Sequence, residues 1–144
     1  MTRYRTVAHL DTAMAAYIAG LVDGEGTVTL TRWHRGENRR LVVSISNNEL
    51  AMLEFVRRTA GAGQITRKRT YSPRHAESYT YQISSRQALG LLRQIAPYMK
   101  SYKSARASLA LREYVRLTPR NGRYTEAMRV ARFAFERELL AIRA

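Results

Sequence analysis

Two carboxylates and two glycines alternate at one point of the chain, Asp23-Gly24-Glu25-Gly26, directly after an uncharged run from Thr12 to Val22. The run reads as a helix from about Thr12 to Asp23, capped by Asp11 or Thr12 and ended by Gly24 and Gly26. Both acids then stand at the negative end of the helix dipole, where carboxylates are disfavoured. A divalent cation relieves that repulsion. Mg²⁺ takes carboxylate, backbone-carbonyl and water oxygens, and bare glycine backbone can approach an ion or a phosphate closely. An exposed helix end carrying two harmless acids fits the same pattern, so charge alone does not choose between the two.

The helix that carries these acids is unusual on its own. Met14, Tyr17, Ile18, Leu21 and Val22 recur at helical spacing and form the stripe expected to face the core. Ala15, Ala16, Ala19, Gly20 and Asp23 fall on the opposite side, where a surface helix would carry charge. Small residues at this spacing let a second helix backbone come close, on steric grounds alone. No comparable second segment exists in the chain, so the expected partner is a second copy in a two-fold dimer. The competing expectation is that a C-terminal helix covers this side.

The rest of the chain bounds the chemistry. Its 144 residues suit one domain, 1–144, and its 45% hydrophobic content supports a core. With no cysteine, disulfide scaffolds, thiol nucleophiles and cysteine-ligated metals are excluded. No uncharged run is long enough to span a bilayer, and no signal-peptide pattern is visible. The expectation is a soluble intracellular protein without membrane contact, cytoplasmic in a prokaryote in preference to an organelle. Lys and Arg number 25 against 11 Asp and Glu, a formal charge of +14. An excess of that size points to a polyanionic partner, because neutralising phosphates releases counterions.

The periodicity predicts further elements. Strands are expected over Thr27–His34 and Arg40–Ser46, with Val28, Leu30, Leu41, Val43 and Ile45 inward and Val42 on the outer side. A helix is predicted over Asn48–Thr59, stopped at Gly61. A second hairpin is predicted from Gln64–Tyr71 and Ser78–Ser84, then helices over Arg86–Ile95, Ser101–Leu117 and Thr125–Ile142. The last carries Arg129, Arg132 and Arg137 on a face expected to be solvated. The order α-β-β-α-β-β-α followed by helices is that of an α+β domain with an antiparallel sheet.

The stretch Ile18–Gly26, IAGLVDGEG, resembles the LAGLIDADG motif of homing endonucleases, and other segments follow in matching order. A strand begins straight after it; Ile45-Ser46-Asn47 precedes a helix ending in Gly61-Ala62-Gly63; and Pro97-Tyr98-Met99 stands before Lys103. A single motif on a short chain is similar to the homodimeric members. The resemblance implies an αββαββα fold with motif helices paired at a two-fold axis and a saddle of strands on DNA. It implies that Glu25, with the Gly24 carbonyl, binds Mg²⁺ or Mn²⁺, that Asn47 orients solvent, and that Lys103, or Lys100 in its place, stands near the scissile phosphate. Asp23 would be structural at the helix seam. The implied activity is metal-dependent cleavage of double-stranded DNA with short 3′ overhangs, in the service of intron mobility.

In that arrangement strands lie in the major groove. A ten-residue strand spans about one DNA turn, so a dimer would read roughly 20 base pairs of a pseudo-palindrome. The outward candidates are Thr29, Thr31, Trp33, Arg35, Asn38, Arg40, Ser44, Gln64, Thr66, Lys68, Thr70, Thr80 and Gln82. Arg67, Arg69 and Arg74 are expected on phosphates. The alternative on the same fold is a non-cleaving nucleic-acid binder, either an RNA splicing maturase or a transcriptional regulator. Glu25 separates the two, because a pure binder has no use for a carboxylate facing phosphate.

Overall fold

The structure is a computed structural model that describes residues 5–144. Helix α1 spans Thr12–Glu25, and the Asp11 side chain caps it by accepting the Met14 amide at 2.8 Å. It runs through Gly24 and stops only at Gly26, two residues later than the glycines suggest. Strand β1 (Gly26–Thr31) leaves immediately and returns as β2 (Arg40–Asn47). The close passage at this corner requires glycine: a Cβ on Gly26 would lie 2.6 Å from the Ser44 carbonyl oxygen.

Helix α2 (Leu50–Ala60) ends at Gly61 in the left-handed region, φ 71°, with Arg57 and Arg58 in its last turn. Strands β3 (Gln64–Arg67) and β4 (Tyr79–Ser84) form the second hairpin. Between α2 and β3 the chain turns tightly under the Tyr81 ring, whose hydroxyl donates to the Ala62 carbonyl at 2.8 Å. Helix α3 (Ser85–Ile95) follows β4 without a loop, Ser85 taking the corner at φ 56°. A 3₁₀ turn, Ala96–Tyr98, leads to α4 (Lys103–Glu113) and α5 (Glu126–Ala141). All these elements fall in the expected order. Several are shorter than periodicity suggested: β1 stops before Trp33, β3 stops before Lys68, and no strand exceeds eight residues.

The sheet is antiparallel in the order β1-β2-β4-β3. Its inner face carries Val28, Leu30, Leu41, Val43, Ile45, Tyr81 and Ile83, all buried. Against it pack Ile18, Ala19 and Val22 of α1, Leu53 and Val56 of α2, and Leu89, Leu91 and Leu92 of α3. Each large apolar side chain in this layer contributes about 1.5–3 kcal/mol by leaving water. Helices α4 and α5 continue the layer, both packing against β1.

The register aligns polar residues in rows across the other face. Thr27, Ser44, Gln82 and Gln64 form one row through all four strands; Ser46, Thr80 and Thr66 form the next. These side chains are exposed or half-exposed. Val42 is the departure: it lies on this face but is only 4% exposed, outside the main core cluster.

Candidate functional site

The two acids of the motif have different surroundings. Asp23 is engaged within the chain. Its carboxylate accepts the Lys100 amide at 2.7 Å, the Ser101 amide at 3.1 Å and the Ser101 hydroxyl at 2.5 Å. It thereby caps the chain at the entry to α4. The connection is reciprocal, because the Lys103 ammonium donates to the Val22 and Asp23 carbonyls at 3.0 and 2.9 Å. Both carbonyls lie in the last turn of α1, where the Val22 carbonyl also accepts the Gly26 amide, and a cation there complements the dipole. Asp23 and Lys103 thus clasp the end of one helix to the start of another. Asp23, which periodicity places on the outer helix face, serves this internal role instead.

Partial burial pushes the Asp23 pKa up, but the Ser101 hydroxyl, the two amides and the Lys103 charge outweigh it, and the carboxyl titrates below its ordinary value. A depressed folded-state pKa stabilises the fold above the unfolded value of about 3.9, and that contribution is lost as pH falls through the folded value. Asp23→Asn is therefore expected to lower stability by about 1–2 kcal/mol at pH 7. The gap to the unsubstituted chain should narrow in urea titrations below pH 4. A gap independent of pH would contradict the clasp.

Glu25, in contrast, is exposed and has no hydrogen bond or ion pair among the described residues. It ends α1, one residue before the Gly26–Ile45 rung of the sheet. That register brings Asn47, two residues beyond Ile45, to the same end of the sheet. The Asn47 side-chain oxygen accepts the Glu49 amide at 2.9 Å, which leaves its NH₂ group as the free donor. Lys103 is held at the same helix end. The Lys100 side chain is exposed and has no partner among the described residues. Glu25, the Gly24 carbonyl and the Lys103 ammonium stand at the end of α1, and Asn47 stands at the same end of the sheet.

The donor set suits a hard cation, since Glu25 and a backbone carbonyl supply oxygen only. It is small for one chain: among the described residues no three His, Cys, Asp or Glu side chains gather into a metal group.

The outer side of α1 is not where the hydrophobic pattern put it. Ala15 and Ala19 are buried at 4% and 0% exposure, packed with Ile18 and Val22 in the chain's own core. They are unavailable to a partner helix. Tyr17, assigned to the core stripe, is 43% exposed, and Met14 and Leu21 are half-buried. The exposed ridge is Ala13, Ala16, Tyr17, Gly20 and Gly24, so that of the small residues proposed for the seam Ala16 and Gly20 remain. A Cβ on Gly20 or Gly24 would meet nothing within 4 Å, so the chain's own packing does not require glycine there. Beside the ridge, Ala13, Met14, Tyr17 and Phe55 line a shallow apolar hollow, with the Tyr17 and Phe55 rings edge to face at 5.8 Å.

The outward polar candidates divide into three groups. Thr29, Thr31, Arg40, Ser44, Gln64, Thr66, Thr80 and Gln82 share the outer sheet face. Trp33, Arg35 and Asn38 belong to the turn between β1 and β2. Lys68 and Thr70 lie beyond β3, where the Lys68 amide still pairs with the Ser78 carbonyl at 2.8 Å. The two hairpin ends point opposite ways: the β3–β4 end lies level with Asn47, and the β1–β2 end lies beyond the Thr31–Arg40 rung.

Two arginines depart from expectation. Arg67 is ion-paired with Glu77. Arg132 is not solvated; it is 2% exposed, bonded to Glu136, the Leu117 and Arg39 carbonyls and Thr118. Thr27 and Ser46, outward in the strand pattern but not among the DNA-contact candidates, complete the polar rows. Sequence reasoning missed an open cleft of about 690 Å³ lined by Arg5, Arg57, Arg58, Gln64, Gln82 and Gln87. The Arg-Arg pair before Gly61 was its only local signal. No helix among the described residues is long and apolar enough to cross a membrane.

Comparison with known proteins gives a family and a fold. A family profile described as LAGLIDADG-like domain matches residues 12–96. None of the curated proteins matches the chain in sequence. Among solved structures, the chain is similar to the homing endonuclease I-CvuI, solved in complex with its target in the presence of calcium. The TM-score is 0.73 at 16% identity, over 91% of this chain and 82% of that one. The archaeal intron-encoded homing endonuclease I-Vdi141I, complexed with DNA, gives 0.70 at 18% identity, over 90% and 84%. The LAGLIDADG homing endonuclease I-LtrWI, bound to target DNA, gives 0.63 at 12% identity; all of this chain matches half of that one. The fold is thus that of LAGLIDADG homing endonucleases.

Proposed function

The chain belongs to the LAGLIDADG-like domain family, and from that membership we propose that it is a site-specific double-strand DNA endonuclease acting as a homodimer with Mg²⁺ or Mn²⁺. The observation that carries this reading is Glu25: of the two motif acids, it alone is left exposed and unpaired, next to a ridge of bare helix backbone. A second copy docked on Ala13, Ala16, Tyr17, Gly20 and Gly24 would bring two such acids together, one for each DNA strand. That all of this chain matches half of I-LtrWI is consistent with two such units serving one site.

Glu25 and the Gly24 carbonyl would hold the divalent cation, which when bound would activate water and neutralise phosphate charge. Lys103, fixed at the end of α1, stabilises the charge that develops on the phosphorus oxygens; Lys100 is the alternative for that role. Asn47, with its oxygen engaged by Glu49, donates its NH₂ to the attacking water and orients it. Asp23 keeps Lys103 in place. The polar sheet face enters the major groove. The end level with Asn47, with Thr66, Thr80 and Lys68, would read bases near the cut. Thr31, Arg40, Arg35 and Asn38 would read bases further out. Arg5, Arg57 and Arg58 suit backbone phosphates at the β3 edge.

The test is incubation with a randomised duplex library and Mg²⁺ or Mn²⁺, with sequencing of the cut ends. Pseudo-palindromic ends with short 3′ overhangs are the expected result. Tight binding without cutting in either metal would favour the maturase or regulator reading; no binding would end both.

Gly20→Leu tests the dimer. The side chain has open space within one copy, and leucine is the better helix former by about 0.8 kcal/mol. The variant should therefore fold at least as well while light scattering reports half the mass. An unchanged mass would exclude this ridge as the seam.

A further inference from the structure

Most buried or half-buried arginines here have partners within the chain. Arg39 pairs with Glu136, Arg86 holds the Thr118 carbonyl, and Arg106 bridges the Val28, Leu140 and Ile142 carbonyls. Arg40 differs. Its guanidinium has no hydrogen bond or ion pair among the described residues, and it lies over the Trp33 ring, 3.9 Å from the centroid. Trp33 is itself 66% exposed. An indole left in water gives up the gain from burial, but it offers the best aromatic face for a cation.

The location gives the pair a use. Arg40 is opposite Thr31 on the last rung of the polar sheet face. That rung is five residues from Gly26, roughly 17 Å along the strand, or about five base-pair rises. Stacking on an aromatic plane removes rotamer freedom from the long side chain while leaving the edge of the fork free to donate. We propose that Arg40 is a specificity-determining residue that reads a guanine in each half-site, and that Trp33 is the positioning residue that holds its guanidinium flat. A guanine O6 and N7 edge accepts two parallel bonds from such a fork. This rests on the reading above that the sheet face binds duplex DNA.

The test uses the full-length protein and the site recovered from the duplex library. Each base pair of one half-site is varied in turn, and affinity is measured for the unsubstituted chain, Arg40→Ala, Trp33→Ala and Trp33→Phe. The unsubstituted chain should prefer G at one position away from the cut by roughly tenfold to a hundredfold. Arg40→Ala should flatten that position alone. Trp33→Ala should erode the same preference several-fold, and Trp33→Phe should retain most of it. Trp33 is the only tryptophan, so emission of the free protein should shift in Arg40→Ala if the stack exists in solution. Two results would overturn the proposal. One is Arg40→Ala weakening all sequences by the same factor, which marks a phosphate contact. The other is Trp33→Ala keeping the full preference. If the unsubstituted chain binds no duplex, the DNA reading itself falls; if it binds and these variants behave otherwise, only the Arg40–Trp33 proposal falls.

Discussion

Glu25→Gln is expected to reduce strand cleavage by at least about 10³-fold, some 4 kcal/mol of transition-state stabilisation, with duplex affinity unchanged or higher. The amide keeps the size of the side chain and removes the charge that would hold the cation. It also removes a negative charge facing phosphate, which accounts for the affinity. Because Glu25 is exposed and makes no hydrogen bond or ion pair among the described residues, the fold should not respond, and urea midpoints should coincide. Gel-based cleavage with saturating protein, run beside a binding titration, separates the two effects. Nicking at the unsubstituted rate would remove Glu25 from the site. Asp23→Asn provides the contrast: its first effect should be on stability, through the carboxylate's bonds to Lys100 and Ser101 and its attraction to the nearby Lys103 charge.

This separation of the two acids was only half legible in the sequence. That Asp23 and Glu25 stand at an unfavourable helix end follows from the pattern alone. Which of them is satisfied does not, because the amides that quiet Asp23 come from residues 77 and 78 positions away. The hairpins were legible, since Val28, Leu30, Leu41, Val43 and Ile45 alternate and all prove buried. The phase of α1 was not. Leu21 is more hydrophobic than alanine and Tyr17 carries more apolar area, yet Ala15 and Ala19 are the buried residues. A helix packed tightly on a sheet favours small residues as much as a helix packed on a helix does, so alanine does not reveal which neighbour it serves. Strand ends were misread for a related reason: Trp33 continues an alternating pattern after its pairing partners have run out, and Lys68 keeps one amide bond to Ser78 beyond the end of β3.

The second large effect is expected at Arg132, where sequence and structure differ most. An arginine in a basic amphipathic helix reads as solvated, yet Arg132 is buried with Glu136, over the Tyr114 ring at 4.9 Å. Its guanidinium donates to the Leu117 carbonyl at 3.0 Å and also reaches Thr118 and the Arg39 carbonyl. It ties the α4–α5 connection to the start of β2. Arg132→Met keeps much of the volume and removes every donor. The Leu117 and Arg39 carbonyls, the Thr118 hydroxyl and one carboxylate oxygen lose this partner, and Glu136 keeps only Arg39. Breaking one side of a buried pair costs about 3–5 kcal/mol, a fall in Tm on the order of 10 °C for a domain of this size. Arg132→Met combined with Glu136→Met should recover part of the loss, since the stranded charge is gone as well. A loss under 1 kcal/mol in the single variant would show the guanidinium to be solvated. Because Arg132 holds the Arg39 carbonyl, the single variant should also loosen the neighbouring Arg40 stack. Trp33 emission should then change in Arg132→Met at temperatures well below its own melting point, linking the buried arginine to the outer end of the sheet.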